Sequence, residues 1–145
     1  MKKSSILIIF GVIALVIALA VAAYALTTLN RANQTANLTG TVTYLQPSPL
    51  PEDAVVTVQI QDVSKADAPA EIIGEQVLSS PGQPPIYFEI PFNPTEIEES
   101  HRYIVRAEIR DNAEVLLFTT DTAIPVITQG NPSENIEIIV VPAGS

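Results

Sequence analysis

The chain has 145 residues, no cysteine and a formal charge of −9. Without cysteine, disulfides, thiolate catalysis and cysteine-ligated metal sites are excluded. Three of the seven basic residues (Lys2, Lys3, Arg31) precede residue 38, and the remainder sets four basic against sixteen acidic side chains, a net −12 that repels nucleic acid and anionic lipid.

Residues 6–26, ILIIFGVIALVIALAVAAYAL, contain no charge. As a helix rising about 1.5 Å per residue they span roughly 31 Å, enough for a hydrocarbon core. Lys2 and Lys3 place residues 1–5 in the cytoplasm by the positive-inside rule, and everything after the helix outside. A cleaved signal peptide is the alternative, with Ala23, Tyr24 and Ala25 as an A-x-A site. Either reading puts the following domain in the same extracytoplasmic compartment. Residues 27–37, TTLNRANQTAN, read as a polar tether, and its two N-glycosylation sequons suit chance in an Asn/Thr-rich stretch.

Residues 38–145 read as one all-β domain. Strands are predicted at 38–46, 54–62, 71–78, 86–92, 102–110, 114–120 and 136–140, with a short eighth around 126–128. Alternation is clearest where Val56, Val58 and Ile60 interleave with Thr57, Gln59 and Gln61, and where Ile86, Phe88, Ile90 and Phe92 interleave with Tyr87, Glu89 and Pro91. Ser80-Pro81-Gly82, Asn93-Pro94, Asp111-Asn112 and Gln129-Gly130-Asn131-Pro132 mark turns, and residues 96–100 allow one helical turn. Seven to eight short strands with prolines in the connections predict a single β-sandwich, with a barrel as the other option.

Catalytic groups are sparse. His101 is the single histidine, so an internal histidine cluster for metal is impossible; it reads as a surface residue closing a loop beside a carboxylate. No G-x-S-x-G, phosphate loop or dinucleotide fingerprint accompanies it. No enzyme activity and no cofactor are expected. Glu96, Glu98 and Glu99 form an acidic knot that lacks the ligand spacing of a calcium loop and reads as solvated.

One strand face carries more. Arg102, Arg106 and Arg110 share it with Ile104 and Glu108, and Tyr87 is expected opposite. Two readings stay open: a ladder of exposed ion pairs with Glu89 or Glu114, each worth about 0.2–1 kcal/mol, or a partner-binding stripe for an acidic peptide or a terminal carboxylate.

Five blocks in order resemble a known family: GTVTY at 40–44, LPEDAVVTVQIQDVSKADAPA at 50–70, PIYFEIPFNPTEI at 85–97, HRYIVRAEI at 101–109 and FTTDTAIPVITQGNP at 118–132. Together they are similar to the YbaY-like, YscW-type lipoprotein domain, which includes type III secretion lipoprotein chaperones (pilotins). The resemblance covers about residues 38–141 and implies a small, non-enzymatic β-sandwich in the cell envelope with a protein partner. It supplies no catalytic residues. The chain departs from the family in lacking a cysteine to carry lipid, so the helix is expected to replace the lipid or the domain to be released. The functional expectation is a membrane-anchored, protein-binding or chaperone-like envelope component; the alternative is an extracytoplasmic module for a small ligand or ion.

Overall fold

The computed structural model describes residues 2–32 and 34–144. It divides into two units, Met1–Gln34 and Thr35–Ser145. In the first, α1 spans Lys2–Ala32, and its Ile8–Leu29 stretch of 22 residues has a mean hydropathy of 2.8. With one glycine, no proline and side chains that are apolar all round, nothing interrupts the backbone ladder or defines a wet face. The helix continues beyond residue 26 to Ala32, where the Thr27 and Thr28 hydroxyls are accommodated by donating to the Tyr24 and Ala25 carbonyls. Much of the stretch read above as a tether is therefore helical.

The second unit is all β. Its strands are β1 (Ala36–Thr43), β2 (Val55–Asp62), β3 (Glu71–Ser79), β4 (Ile86–Phe92), β5 (Tyr103–Arg110), β6 (Leu116–Thr119), β7 (Ile124–Val126), β8 (Ile136–Ile139) and β9 (Val141–Pro142). These are the eight predicted strands plus a two-residue ninth. A 3-10 turn at Pro94–Glu96 begins with Asn93, whose side chain accepts from the Thr95 N–H, while proline supplies the fixed φ of the first turn.

The strands form two sheets. One has the order β4-β1-β8, with β1 antiparallel to β4 and parallel to β8. The other has the order β3-β2-β5-β6-β9, with β7 also paired to β5. Their inner faces share one core: Leu38, Val42, Phe88, Ile90 and Ile138 from the first sheet, and Val56, Val58, Ile60, Tyr103 and Val105 from the second. Each comes from the apolar half of an alternating strand, so burial follows from the period of two.

Two glycines permit close approaches, one within a sheet and one between the sheets. Gly40, central in β1, lies under Phe88 and against the Ile136 backbone, where an added Cβ would stand 2.1 Å from the Ile136 carbonyl oxygen. Gly74, beside a bulge in the β2–β3 pairing, lets β3 approach the backbone of β4. At that seam the Gln76 side chain accepts from the Glu89 N–H at 2.8 Å, so this edge donor of β4 is satisfied across the two sheets. At the opposite corner, the chain crosses between sheets from β8 to β9 through Val140, whose N–H donates to the Thr43 carbonyl.

Candidate partner-binding groove

The candidate face lies on β5, the strand flanked by β2 on one edge and by β6 and β7 on the other. Tyr103, Val105, Ala107 and Ile109 point into the core. Ile104, Arg106, Glu108 and Arg110 therefore face out, and Arg102 precedes them in the same alternation. Tyr87 does not join them. It is 60% exposed on β4, in register with Thr41, and belongs to the other sheet. Alternation gave its outward direction, but only strand pairing decides which outer face a residue shares.

The three arginines are not equivalent. Arg110 is held by Glu108 at 2.9 Å and by the Glu114 carbonyl at 3.0 Å. Glu89 instead accepts from Asn37 on the other sheet. Among the described residues the Arg102 guanidinium has no hydrogen-bond or ion-pair partner; only its backbone is engaged, the N–H donating to Ser64 Oγ and the carbonyl accepting from the Val63 N–H. Arg106 makes one long bond, 3.5 Å to Thr119 Oγ1. The carboxylates that share its face are occupied: Glu108 by Arg110, and Glu75 by Gln59, the residue in register with Arg106. Among the described residues these two guanidiniums thus make no ion pair, in a domain with sixteen acids, although Asp121 lines the depression beside Arg106.

A wall stands beside them. Glu108 pairs with Thr119 and Val105 with Ile124, so two residues of β5 face four residues, 120–123, of the neighbouring chain. Thr120 keeps the ladder closed: its N–H donates to the Ala107 carbonyl, and its hydroxyl accepts from the Ala107 N–H. The excess then bulges outward at Asp121, Thr122 and Ala123. Two depressions flank this bulge and share Ile104 and Ala123. One, of about 250 Å³, lies beside Arg102 and is bounded by Tyr103, Pro125, Thr128 and Gln129. The other, of about 150 Å³, lies beside Arg106 and Asp121. The wall was not anticipated from sequence, because the excess is defined only once the register is known.

A polar latch fixes the Arg102 end. Asp62, at the end of β2, accepts from the Ser64 N–H and hydroxyl, and its other oxygen lies 2.6 Å from His101 Nδ1. His101 Nε2 lies 3.3 Å from Glu98, and the His101 carbonyl accepts from the Thr128 hydroxyl. Burial alone raises the Asp62 pKa, but the bonds from Ser64 and His101 outweigh it and hold the carboxyl below its ordinary value. The folded protein therefore binds this proton less tightly than the unfolded chain. The latch contribution is present at neutral pH and is lost as the pH falls below about 4, through the lower folded value. Asp62→Asn is expected to cost about 1.5–3 kcal/mol at neutral pH and to flatten the stability profile in this acid range. Urea unfolding at a series of pH values checks both; an unchanged profile would remove Asp62 from the account.

The acidic knot is dispersed. Glu96 accepts from Asn93, Glu98 faces His101, and Glu99 accepts from the Gln129 N–H. No group of three or more His, Cys, Asp or Glu is placed to hold a metal among the described residues.

A model of the type III secretion system lipoprotein chaperone family (YscW) matches residues 33–138, most of the chain and nearly all of the sandwich. The chain belongs to the YscW family. Over 109 residues this YscW-family chain is 38% identical to the uncharacterized lipoprotein YbaY of Escherichia coli K12, covering 74% of the chain and 57% of YbaY. It thus spans just over half the length of that relative. A solved structure, an alternative pilotin from the type II secretion system of Vibrio cholerae, is similar with a TM-score of 0.68 and 39% identity, over 74% of this chain and 98% of the pilotin. The resemblance read from the five sequence blocks is borne out.

Proposed function

We propose that the chain is a membrane-anchored, non-enzymatic envelope protein whose sandwich holds a protein partner in a chaperone-like role. The observation that carries this reading is the pair of arginines around Ile104 that make no ion pair among the described residues, set beside a built wall on the outer face of β5. Family membership supports it, since the matched family is described as a lipoprotein chaperone and the similar solved structure as a pilotin. The 145 residues hold no cysteine to carry lipid, so the tether we propose is the apolar Ile8–Leu29 segment of α1. Residues 1–5 are then cytoplasmic and the sandwich extracytoplasmic, following the position of Lys2 and Lys3. A non-enzymatic role is supported by His101, whose Nε2, the nitrogen a His–Asp pair would turn to a nucleophile, faces the Glu98 carboxylate at 3.3 Å instead of a hydroxyl.

The test is cross-linking in intact cells with the full-length chain, followed by mass spectrometry. An envelope protein captured reproducibly, and absent from a tag-only control, is the expected result. Recovery of nothing above that control would overturn the partner-holding role.

A further inference from the structure

We infer that the groove over β5 binds an extended acidic segment of its partner, with an apolar side chain seated beside Ile104 and a carboxylate on each of Arg102 and Arg106. This rests on the partner-holding reading and names the chemistry of the segment held.

Arg102 and Arg106 are four residues apart on a strand, so their Cα atoms are separated by about 13–14 Å. An extended peptide with acids at positions i and i+4 repeats that distance and brings its i+2 side chain to the midpoint. There the groove is apolar, bounded by Ile104, Ala123 and Pro125, and the depression on the Arg102 side, of about 250 Å³, accommodates a branched aliphatic group. An arginine left free of carboxylates by its own protein presents its full planar fork to one supplied in trans. Arg110 lacks this capacity because Glu108 and the Glu114 carbonyl already occupy it.

Charge favours a short segment over an extended anionic surface. The sandwich carries a net −12 from residue 38 onward, so a lipid bilayer or nucleic acid would meet its repulsion over a wide area. Two carboxylates in the groove meet the two arginines, while more distant acids are screened beyond about 8 Å at physiological salt. Asp121 stands at the Arg106 end and bonds Thr122, which makes that end the weaker of the two.

The experiment is fluorescence anisotropy with the full-length protein in detergent micelles. The probe is a fluorescein-labelled Glu-Ser-Leu-Ser-Glu peptide, with Lys-Ser-Leu-Ser-Lys and Glu-Ser-Ser-Ser-Glu as controls. Saturable, salt-sensitive binding of the first alone is expected. Arg102→Gln and Arg106→Gln should each weaken it about tenfold, Arg102 more than Arg106, whereas Arg110→Gln leaves it within about twofold. Thermal midpoints of the variants confirm that exposed substitutions leave the fold intact. Equal binding of the lysine probe, no binding at all, or indifference to both arginine changes would overturn the inference. Cross-linking in cells separates the two levels. A partner captured equally by wild type and by the Arg102→Gln/Arg106→Gln protein sinks this groove assignment and leaves the partner-holding role standing. An empty capture by wild type sinks that role itself.

Discussion

Gly40→Ala is expected to abolish stable folding of the sandwich, at a cost of at least about 4 kcal/mol against a total stability of the usual 5–15. The added methyl would sit 2.1 Å from the Ile136 carbonyl oxygen and 2.8 Å from Phe88 Cζ. The second obstacle is a side chain that can shift; the first is backbone of the adjoining parallel strand, which cannot move without separating β1 from β8. Trimming Phe88 to leucine in the Gly40→Ala background should therefore restore little. Gly74→Ala supplies the comparison: its nearest neighbour is the Ile90 Cγ2 methyl at 2.9 Å, so a milder loss is expected there. Urea unfolding of the full-length protein in micelles, followed by tyrosine fluorescence, ranks the three. A Gly40→Ala midpoint equal to wild type would contradict the parallel pairing of β1 with β8.

Phe88→Ala is the second large effect, at about 3–5 kcal/mol. Phe88 is fully buried on β4, where its ring covers Gly40 and fills the space a side chain on β1 would otherwise occupy. Removing the ring deletes apolar area and leaves a void lined by strands that are already fixed by their ladders, so the site cannot collapse. The same unfolding assay reads it. A loss below about 1 kcal/mol would mean that the two sheets can close over the gap, and that their separation is not set by Phe88. The contrast with Gly40→Ala is informative because one change empties the space and the other overfills it.

These two residues also show what sequence could and could not say. Phe88 was legible as core from alternation in β4, and the same period marked Val56, Val58 and Ile60 as buried and Arg102, Ile104 and Arg106 as one outward row. Gly40 was not legible as a point of closest approach, because the pressure on it comes from Ile136, far along the chain. Tyr87 failed as a member of the arginine face for the same reason: local period gives direction, and long-range pairing gives location. The short eighth strand expected around 126–128 lies instead at Ile124–Val126, as β7, since Ile127 takes a positive φ of 71° that ends the extended run. The contrast between free and occupied arginines required coordinates, because it depends on which acids Gln59 and Arg110 have already engaged.

The parallel ladder between β1 and β8 has a kinetic consequence. Gly40 and Ile136 touch, yet nearly the whole domain lies between them in the chain. The β1–β4 and β2–β3 pairs can form from segments much closer in sequence, but the remaining edge of β1 has no native occupant until Ile136–Ile139 arrives. Closing so long a loop makes the docking of β8 a late event in assembly. Until then a strand edge is unpaired beside a half-covered Phe88, and a newly made molecule is at its most adhesive in that interval.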